Sequence, residues 1–274
     1  MLNSIKASPL YPLIRATYIA LRDLPQLPAA YLHPWRRTAL QRLTALKDVH
    51  KGERAFIIGN GPSLKNTDLT KLKGEITFGM NRIYLMFPEL GFQTTYLSVV
   101  NDLVIEQTAA DLAALNIPKF LAWRARRFFT PDQFSGENAR NLPTFLYTAY
   151  DSPGFARDVR GRVWEGATVT YVTMQLAFHM GIREAILIGV DHSYNATGKP
   201  NTTVTSTGDD PNHFDARYFG AGFRWQLPDL ETSEIAYAMA RRAYERAGRR
   251  IVDATVDGKL TVFPKVAYHT LFAK

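Results

Sequence analysis

The 274-residue sequence predicts an α/β protein built on a doubly wound, mostly parallel sheet. Short unbroken apolar runs recur along the chain, helical segments separate them, and glycines stand where those helices should stop. Unbroken apolar runs mark strands covered on both faces, and strands alternating with helices imply parallel crossovers. The first strand is expected at residues 55–58, ending in the tight turn Gly59-Asn60-Gly61-Pro62-Ser63-Leu64. Further strands are expected at 76–79, 95–100, 119–122, 185–190 and 250–254. Helices are expected at 102–115, at 170–180 with Gly181 as its stop, and at 230–247 with Gly248 as its stop. Residues 122–165, rich in Arg, Phe and Tyr, read as an insertion without assignable elements. The polar stretch 198–211 reads as a mobile loop or lid beside the strand that ends near Asp191.

Length and composition narrow the function classes. A chain of this size suits one large domain, since single cores stop growing at roughly 250–300 residues. With 46% hydrophobic and 21% charged residues it is neither disordered nor fibrous. The absence of cysteine excludes disulfide scaffolds, thiolate metal sites and a cysteine nucleophile, and fits a cytoplasmic setting. The net charge of +8 points to anionic partners. Seven basic and two acidic residues fall within residues 1–50, which are expected to form a basic N-terminal extension before a catalytic domain at 51–274. No uncharged run there is long enough to span a bilayer, nor does the segment read as a cleaved signal peptide. Tyr11, Tyr18, Tyr31, Trp35 and the arginines suit a peripheral contact with an anionic membrane surface, or simple packing on the body. Nucleic acid is not an expected partner, because no single element carries a basic and aromatic stripe.

Five groups of residues are candidates for chemistry. After the first strand, Gly59, Asn60, Gly61, Pro62 and Ser63 form a turn where backbone can approach a ligand and where amides at a helix start attract phosphate; a purely structural turn fits equally. Asn81 and Arg82 follow the second strand; Asn81 suits a base or ribose edge, or a helix cap, and Arg82 suits phosphate. Asn101 and Asp102 follow the third, at the strand ends where open α/β sheets bind ligands. Asp191, His192 and Tyr194 follow the most apolar strand. Asp191 fits acid/base or metal chemistry, or the capping of turn amides. His213 stands among polar residues beside the expected lid and is the best-placed general base, with Arg217 and Tyr218 close behind it.

The order of these motifs resembles a known family. Residues 57–64, Asn81-Arg82-Ile83-Tyr84, 101–107, 171–181 and Ile188-Gly189-Val190-Asp191 are similar in sequence and spacing to the bacterial sialyltransferases of glycosyltransferase family 42. The chain resembles still more the bacterial family grouped with 6-hydroxymethylpterin diphosphokinase-like proteins, which includes motility accessory factors for flagellin glycosylation. That likeness extends through Asn212-His213-Phe214, Tyr218-Phe219-Gly220 and residues 253–264, and leaves out residues 1–50. It implies a Rossmann-like nucleotide-binding domain with a lid. The sialyltransferase likeness places Asn60, Asn81 and Asn101 around the nucleotide, with Thr168 or Thr170 near the position of a serine that helps hold it. The position matching that family's general-base histidine lies nearer Arg217 than His213, and its tyrosines that assist the leaving phosphate are matched only loosely by Tyr194 and Tyr218.

Two enzymatic expectations follow. The first is a sugar-nucleotide-dependent glycosyltransferase acting on a glycan acceptor without a metal. There the turn amides and the three asparagines bind the donor, His213 is the base, and Tyr194, Arg217 and Tyr218 neutralise the leaving phosphate. The second, implied by the diphosphokinase branch, moves pyrophosphate from ATP to a pterin acceptor with magnesium on Asp102 and Asp191. A third, non-enzymatic expectation is a membrane-associated nucleotide-binding protein.

Overall fold

The computed structural model describes Thr17 and residues 27–150, 154–194 and 198–272. Its centre is an all-parallel sheet of eight strands in the order β10-β7-β1-β2-β3-β4-β5-β6. The strands are β1 (Arg54–Ile58), β2 (Thr77–Met80), β3 (Tyr96–Val99), β4 (Lys119–Ala122), β5 (Thr144–Ala149), β6 (Arg162–Trp164), β7 (Glu184–Ile188) and β10 (Arg250–Asp253). A two-stranded antiparallel ribbon, β8 (Thr203–Thr205) and β9 (Arg224–Gln226), stands apart from the sheet. This is a Rossmann-like α/β fold.

The strands form where the apolar runs stand because helices cover them. Phe56, Ile57 and Ile58 of β1 and Ala185–Ile188 of β7 are essentially inaccessible to solvent. Successive helices are α1 (Leu27–Leu32), α2 (Pro34–Ala45), α3 (Phe87–Leu90), α4 (Asp102–Ala114), α5 (Val169–His179) and α6 (Leu230–Arg246). The expected stops hold: Gly181 and Gly248 follow α5 and α6 with positive φ.

Residues 122–165 are not a featureless insertion. They supply β5 and β6, which extend the sheet beyond β4. The described part of the N-terminal segment is anchored to this extension. Arg36 of α2 is fully buried, and its guanidinium donates to the carbonyls of Phe145 (3.0 Å) and Arg160 (2.6 Å). Arg42 donates to the Leu142 carbonyl, and Trp35 stacks on Phe145. The expected surface contacts of Tyr11, Arg15, Tyr18 and Arg22 lie outside the described residues. Among the described residues no helix is long and apolar enough to cross a membrane.

The sheet order reverses between β1 and β7: β2 to β6 run off one edge of β1, while β7 and β10 lie on the other. Such a reversal leaves a crevice at the carboxyl ends of the strands, because the following connections diverge to opposite sides. In register, Ile58, Gly79 and Ile188 end almost level. The turns that follow them therefore meet at one place.

Candidate functional site

That place is a cavity of about 230 Å³. Its floor is Gly59, Asn60 and Gly61 after β1, Met80 and Asn81 after β2, Val100 and Asn101 after β3, and residues 189–194 after β7. Glu165, Ala167, Thr168 and Thr170 close one side at the start of α5. Asn212, His213, Tyr218, Phe219, Trp225 and Gln226 form the roof. The three strand-end asparagines thus share one cavity with Thr168, Thr170, Asp191, Tyr194, His213 and Tyr218, while Pro62, Ser63, Arg82, Asp102 and Arg217 are not part of its wall.

The glycine turn works differently from the expected phosphate cradle. The Gly59 and Gly61 amides donate to the carbonyls of Ile188 (2.7 Å) and Gly189 (2.9 Å). The Ser63 amide (3.0 Å) and hydroxyl (2.7 Å) donate to the Asp191 carboxylate, and the Leu64 amide to Gly61. These donors are therefore committed inside the protein. A Cβ on Gly59 would overlap the Gly189 carbonyl, and one on Gly61 would overlap the Asp191 carboxylate. Glycine is required here for two turns to lie against each other. Asp191 is the bolt between them, as its alternative reading as a turn cap anticipated.

The asparagines divide into two kinds. Asn101 caps α4: its Oδ1 accepts from the amides of Leu103 (2.9 Å) and Val104 (3.3 Å), and its Nδ2 donates to Gln226 (3.0 Å). It joins the sheet to the roof. Asn60 is 9% exposed, and its Oδ1, like that of Asn81, has no partner within the protein. A buried acceptor left open costs about 1–3 kcal/mol unless a ligand or water fills it. Asn81 also adopts a left-handed φ of 49°. Of the six described non-glycine residues with positive φ, four line the cavity: Asn81, Ala167, His192 and Asn201. Backbone held this way costs of order 1–3 kcal/mol per residue and gathers at functional sites.

α5 aims its N-terminus into the cavity. Thr168 is its cap, accepting from the Thr170 amide (3.2 Å), and Tyr237 donates to the Thr168 hydroxyl (3.5 Å). The positive end of this eleven-residue helix, where backbone amides favour an anion, lines the cavity. It takes the place expected of the glycine turn.

The roof is pinned. Residues 198–211, expected as a mobile loop, contain β8, which pairs with β9 over the cavity. Phe214 N–H donates to the Asn60 carbonyl (3.0 Å), and Arg224 N–H to Gln107 (2.8 Å). Arg82, expected on phosphate, instead donates to the carbonyls of Arg217 (2.8 Å) and Tyr218, and holds the 215–219 turn in place. Arg217, expected near the leaving phosphate, has a 69% exposed side chain paired with Asp215 (2.6 Å). Asp102 and Asp191, expected together on magnesium in the diphosphokinase reading, are committed elsewhere. Asp102 pairs with Arg124 (2.8 Å) and Arg127 (2.8 Å), and Asp191 with Ser63. Among the described residues no three His, Asp or Glu side chains converge as a metal-binding group.

His213 lines the cavity with its ring held by a carboxylate. Its Nδ1 donates to Asp210 Oδ2 at 2.6 Å, which leaves Nε2 as the acceptor of the neutral ring. The ring stacks on Tyr218, with centroids 3.9 Å apart and planes 13° from parallel. Asp210 also accepts from the amides of Asn212 (2.8 Å) and Phe219 (3.0 Å). Burial acts to raise the Asp210 carboxyl, but the bonds from His213 and these two amides outweigh it and hold the group below the usual carboxylate range. Asp210 is the partner that sequence reading missed; its signal is a carboxylate three residues before the candidate base. Glu165 was missed too. It precedes Gly166 and Ala167 at the start of α5, and Arg124 donates to both of its oxygens.

No family model matches the chain, and no curated protein does. Among solved structures the chain is similar to that of a MAf glycosyltransferase from Magnetospirillum magneticum AMB-1, at 15% identity and a TM-score of 0.46. The match covers 97% of this chain and 43% of that one, so the chain spans less than half the length of that structure.

Proposed function

We propose that the protein is a nucleotide-binding transferase, specifically a sugar-nucleotide-dependent glycosyltransferase. The observation that carries this reading is His213, oriented by Asp210, on the wall of a cavity at the sheet's reversal point that the N-terminus of α5 also lines. A carboxylate-oriented imidazole takes up a proton at its free nitrogen, and a helix N-terminus stabilises a phosphate. In the proposed reaction the acceptor hydroxyl loses its proton to His213 Nε2 as its oxygen bonds to the anomeric carbon. The bond from that carbon to the phosphate oxygen breaks, and the nucleotide leaves with the electron pair. Asn60 and Asn81 offer open acceptors to the nucleoside, and Thr168, Thr170 and Tyr194, which line the same cavity, are the neutral donors assigned to the phosphate. Tyr218 supports the imidazole by stacking.

The test is a His213→Ala variant assayed for turnover of sugar nucleotides that stabilise the wild-type protein against heat. The reading expects nucleotide stabilisation to persist while turnover falls about 10²–10⁴-fold, the usual contribution of a general base. Full turnover in the variant would remove His213 from the mechanism.

A further inference from the structure

We infer that α1 and the start of α2 form a docking surface for an anionic membrane. This holds independently of the nucleotide reading above. α1 is the segment Leu-Pro-Ala-Ala-Tyr-Leu, with no charged side chain. A helix without a polar face belongs in a core or against another apolar surface. Ala30 is buried in the core, but Tyr31 and Leu32 are 44% and 72% exposed. Six large apolar side chains are exposed among the described residues. Tyr150 and Tyr194 line the cavity, Val49 and Ile235 stand singly in the sequence, and Tyr31 and Leu32 are the adjacent pair.

The chain around this pair is basic. No Asp or Glu occurs between Asp23 and Asp48. Residues 123–142, which meet it through the His33–Trp123 and Trp35–Phe134 ring contacts, carry four arginines against Asp132 and Glu137. Arg36, Arg42 and Trp35 are spent on the body of the protein. Arg37 is exposed and Arg126 lies half-buried over the Trp123 ring (4.2 Å), and neither forms an ion pair among the described residues. An anionic bilayer answers both features. Its acyl region covers Leu32 and the Tyr31 ring, and its phosphates pair with the guanidiniums. A second copy answers them poorly. An isologous contact would set Arg37 and Arg126 toward like charges, and two exposed side chains fall well short of the ~800 Å² that each partner in a stable interface buries.

Co-sedimentation of the full-length protein with vesicles tests this, comparing phosphatidylcholine alone with phosphatidylcholine containing phosphatidylglycerol. The protein should bind the anionic vesicles, bind the neutral ones about tenfold more weakly, and lose affinity as salt rises. Tyr31→Ser combined with Leu32→Ser should weaken binding about tenfold. Arg37→Gln combined with Arg126→Gln should weaken it about fivefold for each arginine. Circular dichroism checks that both variants fold. No binding to anionic vesicles, equal binding to neutral ones, or full binding by either variant overturns the inference. Sedimentation velocity without lipid reads the other occupant: self-association that the Tyr31 and Leu32 substitutions abolish would assign the surface to a second copy and overturn it too.

Discussion

The two ends of the sheet use polar residues in opposite ways. At the amino end, strands begin with polar side chains that close on one another. Arg54 of β1 pairs with Glu75, Glu184 of β7 with Arg250 of β10 (2.6 Å), and the Tyr96 hydroxyl of β3 bonds to His50 (2.8 Å). Lys119 of β4 donates to the Leu115 carbonyl (2.6 Å). At the carboxyl end, Asn60 and Asn81 keep open acceptors, and left-handed backbone collects at Asn81, Ala167 and His192. These amino-end groups are bonded within the protein, while the carboxyl end holds strain and unused bonding capacity that a ligand would recover. Substitutions at the carboxyl end should therefore change turnover more than stability, and those at the amino end and flank the reverse.

The largest effect that sharpens this contrast is expected from Asp210→Asn. The amide cannot stabilise an imidazolium or enforce the Nδ1–H tautomer, so turnover should fall by about 10⁴ while nucleotide binding changes little. Steady-state kinetics separate the two, and a loss confined to KM would show that Asp210 only shapes the roof. Arg36→Met, on the flank, should cost about 2 kcal/mol of stability by leaving the Phe145 and Arg160 carbonyls without their charged donor. Denaturant unfolding reads this, and turnover below the transition should be unchanged.

A pH-dependent effect belongs to Lys119. Burial, with Arg42 nearby, pushes its ammonium from 10.5 down to about 8. The unfolded chain then binds more protons than the folded one between about pH 8 and 10, so stability should rise with pH across that window. Lys119→Met should remove a rise of about 3 kcal/mol in total. A wild-type curve with no rise relative to the variant would contradict the buried, uncompensated lysine.

How much of this was legible in the sequence depended on how far each cause reaches along the chain. β1, β7 and the ends of α5 and α6 were readable because apolar runs and helix-stopping glycines are local causes. β5 and β6 were not. Residues 122–165 mix Arg, Phe and Tyr, and what makes residues 144–149 a strand is its pairing with β4 and its cover by Arg36 and Trp35 from far upstream. The convergence of Asn60, Asn81 and Asn101 was readable from strand-end position alone, but their division of labour was not. Asn101 is spent on α4 and Gln226, while the turn amides are spent on carbonyls and a carboxylate about 130 residues away. Arg82 and Arg217 looked like phosphate ligands by residue type; the fold uses the first as a backbone clamp and leaves the second in solvent.

The central claim is that the carboxyl end of β1, β2 and β7, beneath the β8–β9 roof, is where a nucleotide binds. Amide hydrogen exchange of the wild-type protein, with and without the nucleotide that most raises its melting temperature, tests this directly. The account predicts slowed exchange in residues 59–61, 80–82, 167–171, 189–194 and 210–219, with the amino-end segments around His50, Glu75 and Lys119 unchanged. Protection centred on the amino end or the α2 flank, with the cavity segments unaffected, would contradict it.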